Sequence, residues 1–336
     1  MVCKDAIKAF DMKREARLSE IGEGLLLKHI LDTLGDSGDL LLPKGDDAAA
    51  LEFGGRLVMA VDMFVEKTDK PASMGWRYAG YKAVAAVLSD IAAKGAEPRY
   101  LLTSLGLRGD MLFGEFEELW SGILECSRDY GVRVLGGDLS ETGEVVVDVT
   151  CIGVGGNLIP RGGARVGELV AVTGAFGDTG AALHALLNNI EAEEDILMRF
   201  LKPRTRLREG RALAETGLVS ACIDSSDGLA ASLYHIAEAS NVAIVVHKLP
   251  VSGKAGEYAE EHNLDLKELV LYSGEEYELV FTFSRDGVDR VREALEKVGC
   301  GLYVIGEVAE GRGVYLVDEE GGVEDIRFKG FEHFRA

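Results

Sequence analysis

The chain has 336 residues, enough for two domains of ordinary size, and 47% of them are apolar, so both domains can bury a core. Its 57 acidic residues outnumber its 36 basic ones without a compensating basic patch, which argues against nucleic acid and anionic membrane surfaces as partners. The five cysteines form no CxxC pair, which disfavours a disulfide framework or a zinc site and favours a reducing cytoplasm. We find neither a signal peptide nor a membrane-spanning apolar run.

The first half of the chain has the apolar periodicity of a mixed α and β domain. After an N-terminal extension, residues 1–17, the pattern predicts these elements in chain order: a helix from 19 to about 34–38, a strand at 56–66, a helix at 73–94, a strand at 99–107, a helix at 113–130, a short strand at 132–135 that runs into a turn, and a strand at 144–154. We therefore assign residues 18–154 to an N-terminal α+β domain.

A glycine-rich stretch at 153–163 is the best candidate for a linker, and residues 155–336 form the second predicted domain. The elements predicted there are a strand at 168–173, helices up to about 214, a strand at 219–223, a helix at 229–239, a strand at 242–247, a helical stretch up to about 271, a strand at 277–283, a helix at 287–298, and strands near 302–308 and 314–317. This domain is also α+β, and no sequence repeat relates it to the first.

Several aspartates lie near the ends of apolar segments, most of them beside a glycine or another small residue. They are Asp47 in the GDDAA motif of residues 45–49, Asp62, Asp90, Asp138, Asp224 and Asp227. Any one of them can be a turn former or a helix N-cap, and the DSSDG motif of residues 224–228 would cap the following helix. If the six converge, however, their mutual repulsion requires relief, and bound Mg²⁺ is the simplest source of it.

Glycines near these aspartates would let the backbone approach a phosphate closely. Arg161, in the glycine-rich linker, could bind a phosphate through two nitrogens, although an arginine in such a stretch is more often a solvated surface residue. The chain has neither a GxxxxGK[ST] loop nor a GxGxxG after a strand, so the two common nucleotide-binding folds are not indicated. It also lacks HExxH and GxSxG motifs, which argues against a zinc hydrolase and a serine hydrolase.

Eight motifs, in this order and with these gaps, resemble the thiamine-monophosphate kinase family of the AIR-synthase-like superfamily. They are GDDAA, VDM, LSDIAAKGA, YGxxxLGGD, RGGARVGE, IDSSDGL, SGEEYEL and KGFEHF. The resemblance implies a homodimer whose N-terminal domains bind metal and ATP and pair through their sheets. It also implies Mg²⁺- and ATP-dependent phosphorylation of thiamine monophosphate to thiamine diphosphate in a cytoplasmic enzyme.

The resemblance also implies roles for individual residues. The metal ligands would be Asp47, Asp62, Asp90, Asp138, Asp224 and Asp227, the nucleotide contacts Gly137, Asp138, Arg161 and Ser226, and the thiamine contacts Glu275 and Phe331. Asp69 stands where many members have histidine, and it could face the cationic thiazolium ring. Because the attacking phosphate oxygen is already ionised, direct in-line transfer would need no catalytic base, only positioning and charge neutralisation by metals.

The chain departs from the family at three further positions. Ala60 and Val61 precede Asp62 where hydroxyl residues are usual, and Val87 replaces an asparagine three residues before Asp90. These departures leave two alternatives open. One is a related ATP-dependent enzyme with a different substrate, and the other is a non-catalytic nucleotide-binding paralogue.

Overall fold

The computed structural model describes residues 14–34, 52–318 and 320–329. Its first part contains, in chain order, α1 (Leu18–Ile21), α2 (Glu23–Thr33), β1 (Arg56–Val65), α3 (Glu66–Asp69), α4 (Trp76–Ala93), β2 (Glu97–Leu107), α5 (Phe113–Asp129), β3 (Arg133–Glu141) and β4 (Val146–Gly155). Within the described residues, four of these strands form a sheet in the order β1-β4-β2-β3. Only β2 and β3 are parallel neighbours in it; the other pairs are antiparallel.

This first sheet has one covered and one open face. On β1, Phe64 is buried, whereas Leu57, Met59, Val61 and Met63 are exposed. Because side chains alternate along a strand, Asp62 shares the face of Phe64 and the four exposed residues share the other. We call these the inner face, which α4 covers, and the outer face.

Helices α4 and α5 cross at two glycines. A Cβ on Gly80 of α4 would lie 2.0 Å from the carbonyl oxygen of Leu119, and one on Gly122 of α5 would lie 1.9 Å from that of Arg77. No larger residue fits at either position without moving the backbone. The two helices therefore pack in close backbone contact, and the surface of α4 is buried over most of its length.

The second part of the chain contains β5 (Leu169–Val172), α6 (Asp178–Asn188), α7 (Glu194–Leu201), α8 (Leu207–Thr216), β6 (Val219–Asp224), α9 (Leu229–Ser240), β7 (Ala243–Val246), α10 (Gly253–Glu261), α11 (Leu266–Tyr272), β8 (Leu279–Phe283), a 3₁₀ turn (Arg285–Gly287), α12 (Val288–Glu296), β9 (Tyr303–Ala309), β10 (Gly313–Val317) and β11 (Val323–Asp325). Seven strands of the described chain form a second sheet, in the order β11-β10-β7-β9-β5-β8-β6. Only the pair β7 and β10 is parallel.

Helix α4 also connects the two parts. It packs against α8 and β6 of the second part, and a Cβ on Gly210 of α8 would lie 2.0 Å from the carbonyl oxygen of Ala92. At the end of α4, Lys94 donates a hydrogen bond from Nζ to the carbonyl oxygen of Cys222 on β6, at 2.9 Å. The end of α4 therefore lies beside the end of β6.

The predicted α+β character is confirmed in both parts, and most predicted strands and helices are present. One boundary is wrong. The strand predicted at 132–135 does not end at a glycine turn, because β3 continues through Gly136 and Gly137 to Glu141 with a bulge in its pairing to β2. The predicted first helix is divided at Gly22 into α1 and α2, and α3 and β11 were not predicted.

The described part of the chain contains no helix long and apolar enough to cross a membrane. The four cysteines within it, Cys126, Cys151, Cys222 and Cys300, are buried and unpaired. Burial raises the pKa of the Cys151 thiol to about 12, so this thiol is a poor nucleophile.

Candidate active site

Three of the predicted metal ligands come from different elements that meet beside α4. Asp62 projects from the inner face of β1, Asp90 lies in the last turn of α4, and Asp224 is the last residue of β6. Asp224 is almost completely buried and accepts a hydrogen bond from Ser89 Oγ at 2.8 Å. The packing of α4 against both sheets thus brings together aspartates that are far apart in sequence.

The ionisation of these carboxyl groups shows that they are close. The pKa of Asp62 is raised to about 6, mainly by burial, and the negative charges of Asp224, Asp69 and Asp227 contribute to this rise. Burial also raises the pKa of Asp90 to about 7, with Asp224 and Asp62 adding to the effect. The pKa of Asp224 is raised by burial and by Asp227. The protein therefore holds a set of partly desolvated carboxylates that repel one another.

Two basic residues lie at the edge of this set. Positive charges on Lys94 and Arg161 both lower the pKa of Asp90, against the larger effect of burial. Burial lowers the pKa of Lys94, and the nearby side chains of Cys222 and Asp224 partly oppose this effect. Arg161 is exposed, so its guanidinium is accessible to a bound anion such as a phosphate.

These carboxylates fit Mg²⁺ better than a metal that needs a complete protein cage. Among residues 14–34, 52–318 and 320–329, no group of three or more carboxylate, His or Cys side chains could hold a metal ion. Mg²⁺ commonly takes only one or two protein carboxylates and completes its shell with water and substrate phosphates. Partly buried aspartates with raised pKa values have the right chemistry for that kind of site.

Two loops of the second part form one wall of the site. The backbone N–H of Glu275 donates to the carbonyl oxygen of Ser226 at 2.6 Å, and that of Tyr277 donates to Ser225 at 2.9 Å. Both Glu275 and Tyr277 have positive φ angles, 64° and 52°, which are uncommon for residues other than glycine. The SGEEYEL motif is therefore held in an unusual conformation on top of the DSSDG motif.

Glu275 meets a buried cation. Lys82 of α4, whose side chain is 1% exposed, places Nζ 2.7 Å from Glu275 Oε2. The same Nζ lies 3.5 Å from the centroid of the Phe200 ring. Asp69, whose Oδ2 accepts a hydrogen bond from the Val65 N–H at 2.7 Å, contributes to the field at Lys82. The predicted substrate residues Asp69 and Glu275 are thus close to the same lysine.

Asp138 lies away from the other described aspartates within one chain. Asp138 on β3 pairs with Ser104 on β2, Ser104 pairs with Asp148 on β4, and Asp148 pairs with Met63 on β1. Cross-strand partners point to the same face of a sheet, so Asp138 is on the outer face with Met63. Its strand is three strand spacings from β1, roughly 14 Å along the sheet. Packing requires a glycine at the neighbouring position 137, because a Cβ there would lie 1.6 Å from the Thr103 carbonyl oxygen.

Two predicted site residues, Asp47 and Phe331, lie outside the described residues. Conversely, the sequence analysis missed Lys82, Ser89 and Tyr277. Lys82 had a recognisable signal, since it is a lone charge within the apolar segment 79–88 of a helix. Tyr277 had no such signal in the sequence. The loop conformation buries it near Glu275, Asp62 and Asp224, and this burial raises its pKa.

Comparison with known proteins decides the family. Two family models match: AIR synthase related protein, N-terminal domain, at residues 45–155, and the corresponding C-terminal domain at residues 165–319. The thiamine-monophosphate kinase of Methanopyrus kandleri is 36% identical over 295 residues, which cover 87% of this chain and 91% of that protein. The chain belongs to the thiamine-monophosphate kinase family. The Aquifex aeolicus member is 30% identical over 330 residues, covering 95% of this chain and all of that protein.

Solved structures of thiamine-monophosphate kinases have the same fold. The structure of AaThiL complexed with AMPPCP and TMP has a TM-score of 0.75 and 31% identity, and the match covers 95% of this chain and 99% of that one. A structure of hydrogenase maturation protein HypE in complex with ATP has a TM-score of 0.77 but only 21% identity, with 95% and 98% coverage. At this level of identity, the similarity to HypE shows only that the fold is shared.

Proposed function

We propose that this protein transfers the γ-phosphoryl group of ATP to thiamine monophosphate, which yields thiamine diphosphate and ADP, and that it requires Mg²⁺. The observation that carries the proposal is the convergence of Asp62, Asp90 and Asp224 from β1, α4 and β6. Family membership supports it, since the relatives are thiamine-monophosphate kinases and a structure of one contains AMPPCP and TMP. The domain division proposed above, near residue 155, separates Asp62 and Asp90 from Asp224.

We assign the residues of the site as follows. Asp62, Asp90, Asp224 and Asp227 would hold Mg²⁺, with Asp47 and Asp138 as further proposed ligands, Gly137, Asp138, Arg161 and Ser226 as nucleotide contacts, and Asp69, Glu275 and Phe331 as thiamine contacts. When bound, Mg²⁺ supplies charge neutralisation between these carboxylates and the phosphate oxygens. Arg161 and Lys94 add positive charge at the edge of the carboxylate set, where a phosphate is expected.

The reaction can be balanced without a general base. An ionised phosphate oxygen of thiamine monophosphate forms a bond to the γ-phosphorus, and the bond from that phosphorus to the β,γ-bridging oxygen breaks, so that ADP leaves with the electron pair. The protein contributes by holding both phosphates in line and by excluding water. Glu275 and Asp69 hold the thiamine end, and the aspartates hold the phosphate end.

We further propose that the protein is a homodimer paired through its first sheet. On the outer face of β1, Leu57, Met59, Val61 and Met63 are 50% to 64% exposed. A contiguous row of large apolar side chains on an open sheet face marks an interaction surface. Asp138 shares this outer face, so the dimer interface is where its proposed contact with metal and nucleotide would be made. The buried, unpaired thiols fit the proposed cytoplasmic location.

A substrate panel tests the activity against the two alternatives. We expect ADP release with ATP, Mg²⁺ and thiamine monophosphate, and little with thiamine or pyridoxal phosphate. Turnover with another substrate but not with thiamine monophosphate would support a different enzyme of the superfamily. Tight binding of Mg-ATP in calorimetry, combined with no turnover on any member of the panel, would support a non-catalytic paralogue.

A further inference from the structure

The proposed reaction assigns no role to Lys82, a buried cation of α4. Lys82 is 1% exposed, near the middle of α4, and a lone ammonium group at this depth would be costly because it has lost its water. It is stabilised by Glu275 Oε2 at 2.7 Å and by the ring of Phe200 at 3.5 Å. Retaining such a pair in place of apolar residues indicates a function beyond stability, because buried ion pairs contribute little net stability.

The geometry of Glu275 indicates what that function is. Its backbone is held at φ 64° by the hydrogen bond from its N–H to Ser226, and one of its carboxylate oxygens is held by Lys82. The side chain is nevertheless 28% exposed, so part of the carboxylate can be reached from the site. Backbone and lysine together restrict the orientation of the carboxylate.

Pairing also changes the chemistry of Glu275. A carboxylate that is neutralised by an adjacent ammonium attracts a cation only weakly, but its remaining lone pairs still accept hydrogen bonds. Thiamine monophosphate offers two distinct groups, an uncharged aminopyrimidine with an N–H donor and a cationic thiazolium. A neutralised, oriented acceptor suits the first, and a carboxylate such as Asp69 suits the second.

We propose that Lys82 is a positioning residue for substrate selection, which orients Glu275 to accept a hydrogen bond from the aminopyrimidine and leaves the thiazolium charge to Asp69. This inference rests on the proposed function and refines it. It predicts that the protein discriminates between thiamine monophosphate and its 4-oxo analogue, in which an oxo group replaces the amino donor.

Steady-state kinetics of Lys82→Met test this role, because methionine preserves the volume over Phe200 without the charge. We expect the KM for thiamine monophosphate to rise about 10- to 100-fold, the KM for ATP to change less than about twofold, and the preference for amino over 4-oxo substrate to fall. Lys254→Met is the matched control, since Lys254 is an exposed lysine paired with Glu193 and Asp195; it should behave as wild type. Equal rises in both KM values, or an unchanged preference, would overturn the proposal.

Glu275→Gln keeps the test decisive if Lys82→Met does not fold. Glutamine has the same shape, but its amide can turn to donate to an oxo group. The amino preference should therefore fall in this variant as well, and a variant that retains the wild-type preference would contradict the proposal. Wild-type protein that makes no thiamine diphosphate would instead overturn the proposed function, so the two failures are distinguishable.

Discussion

Asp62 owes its place in the site to the face of β1 on which it lies. Its neighbour Val61 is 60% exposed on the outer face, whereas Ala60 shares the inner face with Asp62. A hydroxyl side chain at position 61 would thus point away from Asp62 within one chain. Of the two missing hydroxyl groups, only the one at Ala60 changes the inner surface of the same chain.

Replacing Asp62 by asparagine removes a carboxylate without changing its shape. We expect the rate of thiamine diphosphate formation to fall about 100-fold or more, because charge neutralisation at the phosphates depends on this group. Asp289→Asn is the control, because Asp289 is a 97% exposed aspartate in the first turn of α12 and lies on neither face of the first sheet. Equal losses in the two variants would show that the inner-face position of Asp62 is not what matters.

The raised pKa of Asp62 also predicts how stability depends on pH in metal-free protein. A carboxyl group whose pKa rises from 3.8 to about 6 on folding favours the folded state at pH values below 3.8. That contribution is lost as the pH rises through about 6. Asp62→Asn should therefore be more stable than wild type at pH 8, by about 1–3 kcal/mol, and the difference should shrink towards pH 4.

Urea denaturation at several pH values measures this difference. Added Mg²⁺ should reduce it at pH 8, because the ion relieves the repulsion in wild type but has one ligand fewer in the variant. A wild-type protein that is as stable as the variant at pH 8 without metal would contradict the electrostatic account of the site.

Helix α4 serves both packing and function. Gly80 allows α5 to approach it, Lys82 contacts Glu275, and Asp90 and Lys94 lie at the end that faces β6. These positions are separated by less than four turns of a single helix. A shift of α4 would therefore move both Lys82, beside the proposed thiamine contact Glu275, and Asp90, a proposed metal ligand.

Gly80→Ala should destabilise the protein by about 1–3 kcal/mol, because the added Cβ would lie 2.0 Å from a backbone oxygen. Gly24→Ala in α2 is the control. It meets nothing within 4 Å, so alanine should stabilise that helix by about 0.5–1 kcal/mol. Thermal unfolding of both variants checks the prediction, and a neutral Gly80→Ala would show that α4 and α5 separate easily.

Charged substitutions on the outer face of β1 should dissociate the proposed dimer. Met59→Lys together with Val61→Lys places two charges in the apolar row, and we expect the mass measured by light scattering to fall to that of one chain. Leu187→Lys is the control, since Leu187 is a similarly exposed residue, 63% exposed, on α6. A wild-type protein that is already monomeric would contradict the proposed interface.

At the scale of the whole molecule, the sequence best predicted those elements whose own apolar pattern defines them. The long apolar run of α4 and the alternation of β4 predicted these elements to within a few residues. β3 was predicted too short because Gly136 and Gly137 were interpreted as a turn. In the structure they continue the strand, and Gly137 is required by contact with the neighbouring strand, which local sequence does not encode.

In the candidate site, too, local sequence predicted individual residues but not the contacts between distant elements. Motif positions predicted Asp62, Asp90, Asp224 and Glu275 as site residues, but their grouping depends on how α4 packs between the two sheets. The sequence does not predict the register of neighbouring strands, and this register places Asp138 on the outer face. Lys82 was missed although it is a lone charge in an apolar helix, because the role of that charge depends on its partner, Glu275, which is 193 residues away.

The most direct test of the account is ³¹P NMR of the purified protein with ATP and thiamine monophosphate, with and without Mg²⁺. We expect the diphosphate signals of thiamine diphosphate and ADP to grow in equal amounts when Mg²⁺ is present, and neither to appear after the metal is chelated. ADP and inorganic phosphate without thiamine diphosphate, or formation of thiamine diphosphate at the same rate without divalent metal, would contradict the claim that the converging aspartates hold Mg-ATP for this transfer.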